Sequence, residues 1–316
     1  MTNPARIALV LIASLFAQAC GNKLADEQRA VDEWRKGRIE RLTGPTGWIT
    51  LVGLYWFNEG TNTFGRAPTN TLVLDNKAMP DMLGTFTLAD GKVNFVANAG
   101  SVVTHEGAPI TSIAMNSDAT KNVTQLKTGS LQFFVIERSG KIGLRVRDAD
   151  HPERKAFQGI DSYPVSTDWV FDAKFEPYNP VKQVEIINIL GLKEIMPAPG
   201  AVVFTKDGVE HRLDAVLEVP DDKELFLMFA DSTSARETYG AGRFLYIPMP
   251  SDGPNGKHVI VDFNKAYNPP CAFNDFATCP LPPWQNRLKL AVTAGEKKYT
   301  RPSHDVSAAP NNEPMK

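Results

Sequence analysis

WITLVGLYWF, Trp48–Phe57, is a nearly continuous apolar run broken at Asn58-Glu-Gly60, and the chain beyond it repeats the same pattern in short pieces. Thr63–Gly65, Thr71–Leu74, Gly84–Leu88, Lys92–Ala97, Gly100–Thr104 and Ser130–Glu137 are each a few residues long. Most are bounded by Gly, Pro, Asn or Asp, as at Asp90-Gly91 between two of them. Short β-branched and aromatic runs separated by turn residues predict strands joined by hairpins. Many such strands at this spacing predict a β-sandwich or a partly open barrel. In Lys141–Asp148 (KIGLRVRD), Ile142, Leu144 and Val146 alternate with Arg145 and Arg147. Both arginines therefore share one strand face, either holding an anion or pairing with acids on a neighbouring strand.

Upstream of this run only one segment reads as a helix. Leu24–Leu42 sets Leu24, Val31, Trp34 and Leu42 near one face among charged residues, and Gly44-Pro45 stops it. Its balanced acids and arginines predict packing against the folded body rather than on a membrane. Before it, Arg6 precedes an eleven-residue apolar run, Ile7–Ala17, too short for a bilayer span of about 20 residues. Ala17-Gln18-Ala19-Cys20 resembles a bacterial lipobox with Ala in place of the usual Leu. That likeness implies a signal peptide over residues 1–19 and lipidation at Cys20. Gly21, rather than Asp, after the cysteine is similar to an outer-membrane address facing the periplasm.

With 42% hydrophobic and 22% charged residues and a net charge of −2, the 316-residue chain has an ordinary globular composition. Near-neutrality gives it no electrostatic reason to seek nucleic acid. Its five histidines are scattered without metal spacing, and no phosphate loop, dinucleotide fingerprint or nucleophile elbow is present. No metal or cofactor is expected. The plan expected is a lipid-anchored tether and helix over 20–45, a sandwich-like half over 46–150, a second β-rich half over 151–300, and a disordered tail over 301–316. His151–Asn179 reads as a loose connection between the halves.

The second half opens with strands at Val181–Leu190, Gly200–Thr205 and His211–Glu218. Glu224–Ala230 (ELFLMFA) then leads into Asp231–Asn286, where the chemically versatile residues concentrate. Two blocks stand out, ETYGAGR (Glu237–Arg243) and DFNKAYNPPCAFN (Asp262–Asn274). Gly240 and Gly242 bend the first, with Glu237 and Arg243 at its ends. Asp262-Phe-Asn-Lys-Ala-Tyr-Asn268 alternates like a strand until Pro269-Pro270 ends any ladder. Cys271 and Cys279 form an even, close pair, which in an exported chain reads as a disulfide worth about 2.5 kcal/mol.

The segments ELFLMFADSTSARETYGAGRFLYIP, VDFNKAYNPPCAFNDFATCPLPPWQNRL and AGEKKY resemble the domain-of-unknown-function 1684 family, with GWITLVGLYWFNEGTNTFG similar to a segment near its start. The resemblance spans roughly Trp34–Tyr299 and implies a bacterial chain of one architecture, without an activity or substrate. Separately, Gly60–Arg66 followed by Thr71–Leu74 is similar to forkhead-associated sandwiches in its order of hairpin, Gly-Arg and aliphatic strand. That likeness implies a sandwich alone, because the later Ser and His of phosphopeptide readers have no matching places; Arg66 is read as a solvated turn residue.

Two functions compete. In the first, an envelope lipoprotein binds a small or glycan-like ligand, or a partner, through Thr238, Tyr239, Arg243, Asn264, Tyr267, Asn268 and Asn286. In the second, a hydrolase uses two of Asp231, Glu237 and Asp262 as an acid–base couple. Against both stands a structural reading, in which Arg243 is buried against Asp231 or Glu237. A deep pocket faced by two of the carboxylates favours the enzyme, and a closed hydrogen-bonded network favours the binder.

Overall fold

Alternation of buried and exposed side chains along short strands builds most of the molecule. The computed structural model describes residues 4–219, 221–254 and 256–301, with side chains from residue 23 onward. The signal peptide and Cys20 therefore lie outside the residues whose side chains are described, as does nearly all of the tail. Helix α1 (Pro4–Thr43) buries Val31 and Leu42, while Leu24, expected on the same face, is exposed. Among the described residues no helix is long and apolar enough to cross a membrane.

The first group of strands is β1 (Leu51–Trp56), β2 (Gly60–Gly65), β3 (Leu72–Val73), β4 (Gly84–Ala89), β5 (Lys92–Ala97) and β6 (Thr104–His105). Next come β7 (Ala108–Pro109), β8 (Ser112–Met115), β9 (Gln125–Thr128), β10 (Leu131–Arg138) and β11 (Lys141–Asp148). They form two sheets, ordered β1-β11-β10-β9-β6-β7 and β3-β2-β4-β5-β8. Phe64, Phe86, Phe95 and Phe133, all fully buried, meet between them in tilted and edge-on pairs 4.8–6.1 Å apart. Such offset ring pairs add to the burial of the rings themselves. This is the expected sandwich. Gly100–Thr104 is not the strand that was expected, only its last residue pairing, and β8 and β9 went unread because they carry few β-branched residues. Trp48 begins a 3-10 turn (Trp48–Thr50) rather than a strand.

After a short helix, α2 (Pro152–Ala156), come β12 (Val170–Ile187), β13 (Lys193–Lys206), β14 (Val209–Ala215) and β15 (Glu224–Phe229). The remaining strands are β16 (Arg243–Pro248), β17 (Ser251–Gly253) and β18 (Gly256–Asp262). Sheet order is β14-β13-β12-β18-β17, with β15-β16 as a separate ribbon. The long β12 starts inside the stretch read as loose connection; its ladder shifts register between Pro177 and Lys182 because proline donates no hydrogen bond. One face of the ribbon, Leu225, Leu227, Phe229, Leu245 and Ile247, packs on the sheet. The other, Phe226, Met228 and Phe244, packs on the far end of the β12–β13 hairpin and the two cysteines. Burial on both faces is why ELFLMFA reads as an unbroken apolar run.

Candidate functional site

Asp231 and Arg243 anchor the two signature blocks, and neither faces open space. Arg243 Nη2 donates to Asp231 Oδ2 at 2.8 Å, with both side chains 1% exposed. The same guanidinium donates to the carbonyls of Val292, Ala294 and Glu296. Asp231 Oδ1 accepts from the Thr233 N–H and hydroxyl, and Thr233 pairs with the buried Thr238 hydroxyl. Glu237 does not join Arg243: it is exposed and accepts from Tyr163 O–H at 3.0 Å. Desolvation first, and that carboxylate second, push the Tyr163 phenol up to about 12. Tyr239 is half-buried and its phenol likewise rises to about 12, chiefly by desolvation.

Of the two glycines, only Gly242 is required. Its φ is +95°, and a Cβ there would lie 2.5 Å from the Phe229 carbonyl oxygen. A Cβ on Gly240 would meet only Ala235, at 3.5 Å.

Asp262 ends β18 and caps a 3-10 turn, Phe263–Lys265, so the strand-like alternation expected through Asn268 does not occur. Its Oδ1 accepts from the backbone and side-chain nitrogens of Asn264, and Lys265 Nζ lies 3.0 Å from Oδ2. Local bonding of this kind competes with a ladder. Asn264 also bridges to Ser166, and Asn286 binds the Asp214 backbone and the Met228 carbonyl. The three acids thus sit in three separate networks, and no two of them converge. Cys271 and Cys279 are buried free thiols in contact rather than the expected bridge, with the Cys271 N–H 3.1 Å from Cys279 Sγ. The neighbouring thiol draws the Cys271 pKa down, whereas burial drives that of Cys279 up.

Open space lies elsewhere, in a cleft of about 950 Å³ between α1, the sandwich and the ribbon. Phe226, Tyr246 and Tyr267 stand along one wall in a stack, with centroids 4.9 and 6.2 Å apart. Arg38 of α1 lies 4.4 Å over the Tyr267 ring. Trp34, Trp48, Phe244 and Phe273 complete the aromatic lining. Tyr246 O–H donates to Glu218, whose carboxyl is raised by desolvation, and burial raises the Tyr246 and Tyr267 phenols as well. Arg145 lies in the lining near Arg138, which is bound in a two-pronged pair to Asp118.

Of the residues selected from sequence, Tyr267 and Asn268 line this cleft; Asp231, Glu237, Thr238, Tyr239, Arg243, Asp262, Asn264 and Asn286 do not. Several of the latter build its frame instead. Arg243 fixes the segment that carries Glu296; Glu296 in turn pairs with Arg38 at 2.5 Å and accepts the Asn268 N–H at 2.7 Å. Asn274 Nδ2 donates to the Trp48 carbonyl, holding that indole's backbone in place. The first block is scaffold under the cleft walls, whereas the second contributes Tyr267, Asn268, Pro270 and Phe273 to them. Tyr246, Glu218 and Arg138 were missed: Glu218 and Arg138 lie outside every motif, and Tyr246, though inside the first signature segment, follows its block on the apolar-looking strand β16.

Asp214 was missed too. It is buried and accepts from Tyr178, Lys182 and Gln285 at 2.6–2.9 Å. Desolvation pushes its carboxyl up, but these hydrogen bonds outweigh it and hold the pKa below the usual range.

Among solved structures the chain is similar to an uncharacterised protein from Haloarcula marismortui, at 30% identity and a TM-score of 0.39, over 46% of this chain and 80% of that one. It is also similar to the forkhead-associated domain of FhaA, solved in complex with an intracellular domain, at 15% identity and a TM-score of 0.22, over 29% and 86%. A forkhead-associated domain from Chlamydia trachomatis matches at 17% identity and a TM-score of 0.21, over 29% and 81%. The comparison with curated proteins gives no match. Residues 155–297 match the family described as protein of unknown function (DUF1684), a span that holds both signature blocks and stops short of Trp48–Gly65. The chain belongs to the DUF1684 family.

Proposed function

We propose that this protein is a non-catalytic, lipid-anchored envelope protein that binds a small ligand in the aromatic cleft. The observation that carries this reading is the cleft itself: about 950 Å³ walled by Trp34, Trp48, Phe226, Tyr246 and Tyr267, while Asp231, Glu237 and Asp262 are each engaged elsewhere. Concave sites of this size with an aromatic wall and polar groups around it suit ligands of drug or sugar size. Stacked rings suit a planar or apolar body, and a sugar's C–H face meets them equally well. The envelope address rests on the lipobox-like Ala17–Cys20, with the periplasmic face of the outer membrane suggested by Gly21. In that oxidising compartment the adjacent thiols of Cys271 and Cys279 are placed to close a bridge.

The test is ligand-observed saturation-transfer NMR on the full-length protein in mild detergent, with methyl glucoside, benzamide and benzoate as probes. At least one probe binds saturably, and Tyr246→Ala, which removes the middle ring of the stack, weakens it at least tenfold. Binding by none of the probes, or binding indifferent to Tyr246→Ala, overturns the reading.

A further inference from the structure

Arg145 is a buried cation without an anion. It lies on β11 between Leu54 of β1 and Phe134 of β10, is 3% exposed, and lines the cleft. A guanidinium carries five donors in a planar fork. One of these is used: Nη2 donates to Thr278 Oγ1 at 3.2 Å. Its Nε is buried with no partner, and among the described residues it forms no ion pair. Arg243 also leaves Nε unpartnered, but its terminal nitrogens serve Asp231 and three carbonyls. The Trp48 ring, 5.6 Å away, faces the Arg145 π-surface and satisfies none of its N–H groups.

The electrostatics agree with the geometry. Desolvation, and then Arg138, lower the Arg145 pKa to about 10, against which Asp118 pulls only in part. Arg138 is itself neutralised by the two-pronged pair with Asp118. Arg147 stacks over Phe134 at 5.0 Å and is not part of the lining. A charge withdrawn from water without a partner is costly, and proteins keep one where something arrives to pair with it.

We infer that the cleft selects ligands bearing a single negative charge, and that Arg145, seconded by Thr278, receives that charge while the ligand's body lies on the aromatic wall. This deepens the cleft-binding reading and rests on it. The class is a small organic acid with a ring or apolar body. With Arg138 already neutralised by Asp118, Arg145 is the one buried charge among the described lining residues, and Glu194, Glu218 and Glu224 of the same lining repel a second negative charge, so a carboxylate fits better than a dianionic phosphate ester. Two-pronged recognition of a carboxylate is what a guanidinium fork does best.

Three probes of one shape separate the cases: benzoate, uncharged benzamide, and phenyl phosphate, titrated calorimetrically into the full-length protein, with Arg145→Met and Thr278→Val beside the wild type. Circular dichroism confirms that each variant folds. The expected result is benzoate bound at least tenfold tighter than benzamide and tighter than phenyl phosphate. In Arg145→Met, benzoate falls to the level of benzamide; in Thr278→Val the discrimination narrows. Benzoate and benzamide binding alike to the wild type overturns the inference and leaves the cleft reading standing. So does benzoate binding that survives Arg145→Met, and phenyl phosphate binding tightest overturns the single-charge assignment. Binding by none of the three removes the cleft reading with it.

Discussion

Arg243 and Asp231 meet at 2.8 Å with both side chains 1% exposed, and Arg145, also buried, has a threonine hydroxyl as its one hydrogen-bond partner among the described residues. The same side chain therefore does opposite things in the two halves. Removing one partner from a buried, hydrogen-bonded pair strands the other charge, at a cost of about 3–5 kcal/mol. Arg243→Met should lose that much stability in denaturant titration. Arg145→Met strands nothing and relieves a desolvated charge, so its midpoint should equal or exceed that of the wild type. Equal losses in the two variants would contradict the distinction.

Gly242 and Gly240, two residues apart, should respond differently to alanine. At Gly242 the added Cβ combines a positive φ with a 2.5 Å approach to a carbonyl oxygen, and the substitution should cost at least about 2 kcal/mol. Gly240→Ala should change stability by no more than about 0.5 kcal/mol. Chemical unfolding of both variants measures the difference; a costly Gly240→Ala would show a closer neighbour than Ala235.

How much of the fold and the site was legible depends on where each residue's partner comes from. The sandwich could be read because alternation and turn residues are local, and ELFLMFA could be read as a strand because it is buried on both faces. Arg145 and Arg147 were correctly placed on a strand face. Whether an acid stood opposite could not be read, since the group opposite Arg145 is Thr278, far along the chain. Asp262-Phe-Asn264 imitated a strand because its alternation is real, but the Asp262 carboxylate bonds its own chain two residues on, and that closes a turn. The motif residues looked like a site because they are polar and dense. Much of their density serves the joints between strands, and the cleft they support takes its aromatic wall from apolar-looking positions of those segments, such as Phe226 and Tyr246, and its charged groups from elsewhere in the chain.

Helix α1 should dock more tightly in acid. Desolvation, and then the facing Asp262 carboxyl, raise the Glu27 pKa above its ordinary 4.5, while Lys265 and Lys23 oppose this. The folded state thus holds the proton more firmly than the free carboxyl does. The resulting stability is fully present below about pH 4.5 and is lost as pH rises through the raised value. Amide exchange around Glu27, corrected for intrinsic rates, should slow as the pH is lowered from neutrality toward 4.5, and Glu27→Gln should remove the pH dependence. Protection that is independent of pH would rule out the carboxyl pair.

The state of Cys271 and Cys279 reports the compartment. Buried as they are, both should resist iodoacetamide in the native protein. If the chain is exported, protein taken from the envelope and denatured without reductant should take up no label at either position, because the adjacent sulfurs have been oxidised to a disulfide. Two equivalents of label would place the chain in a reducing compartment and count against the envelope address.

The central claim, that the aromatic cleft is a ligand site, is tested most directly by the indole N–H resonances of the tryptophans in isotope-labelled protein. Trp34 and Trp48 line the cleft; Trp56, Trp169 and Trp284 do not. Titration with benzoate, benzamide and methyl glucoside should move the Trp34 and Trp48 signals saturably with at least one compound, leaving the other three in place. Signals of Trp34 and Trp48 that stay still with all three compounds, or shifts as large at Trp169 and Trp284, would contradict it.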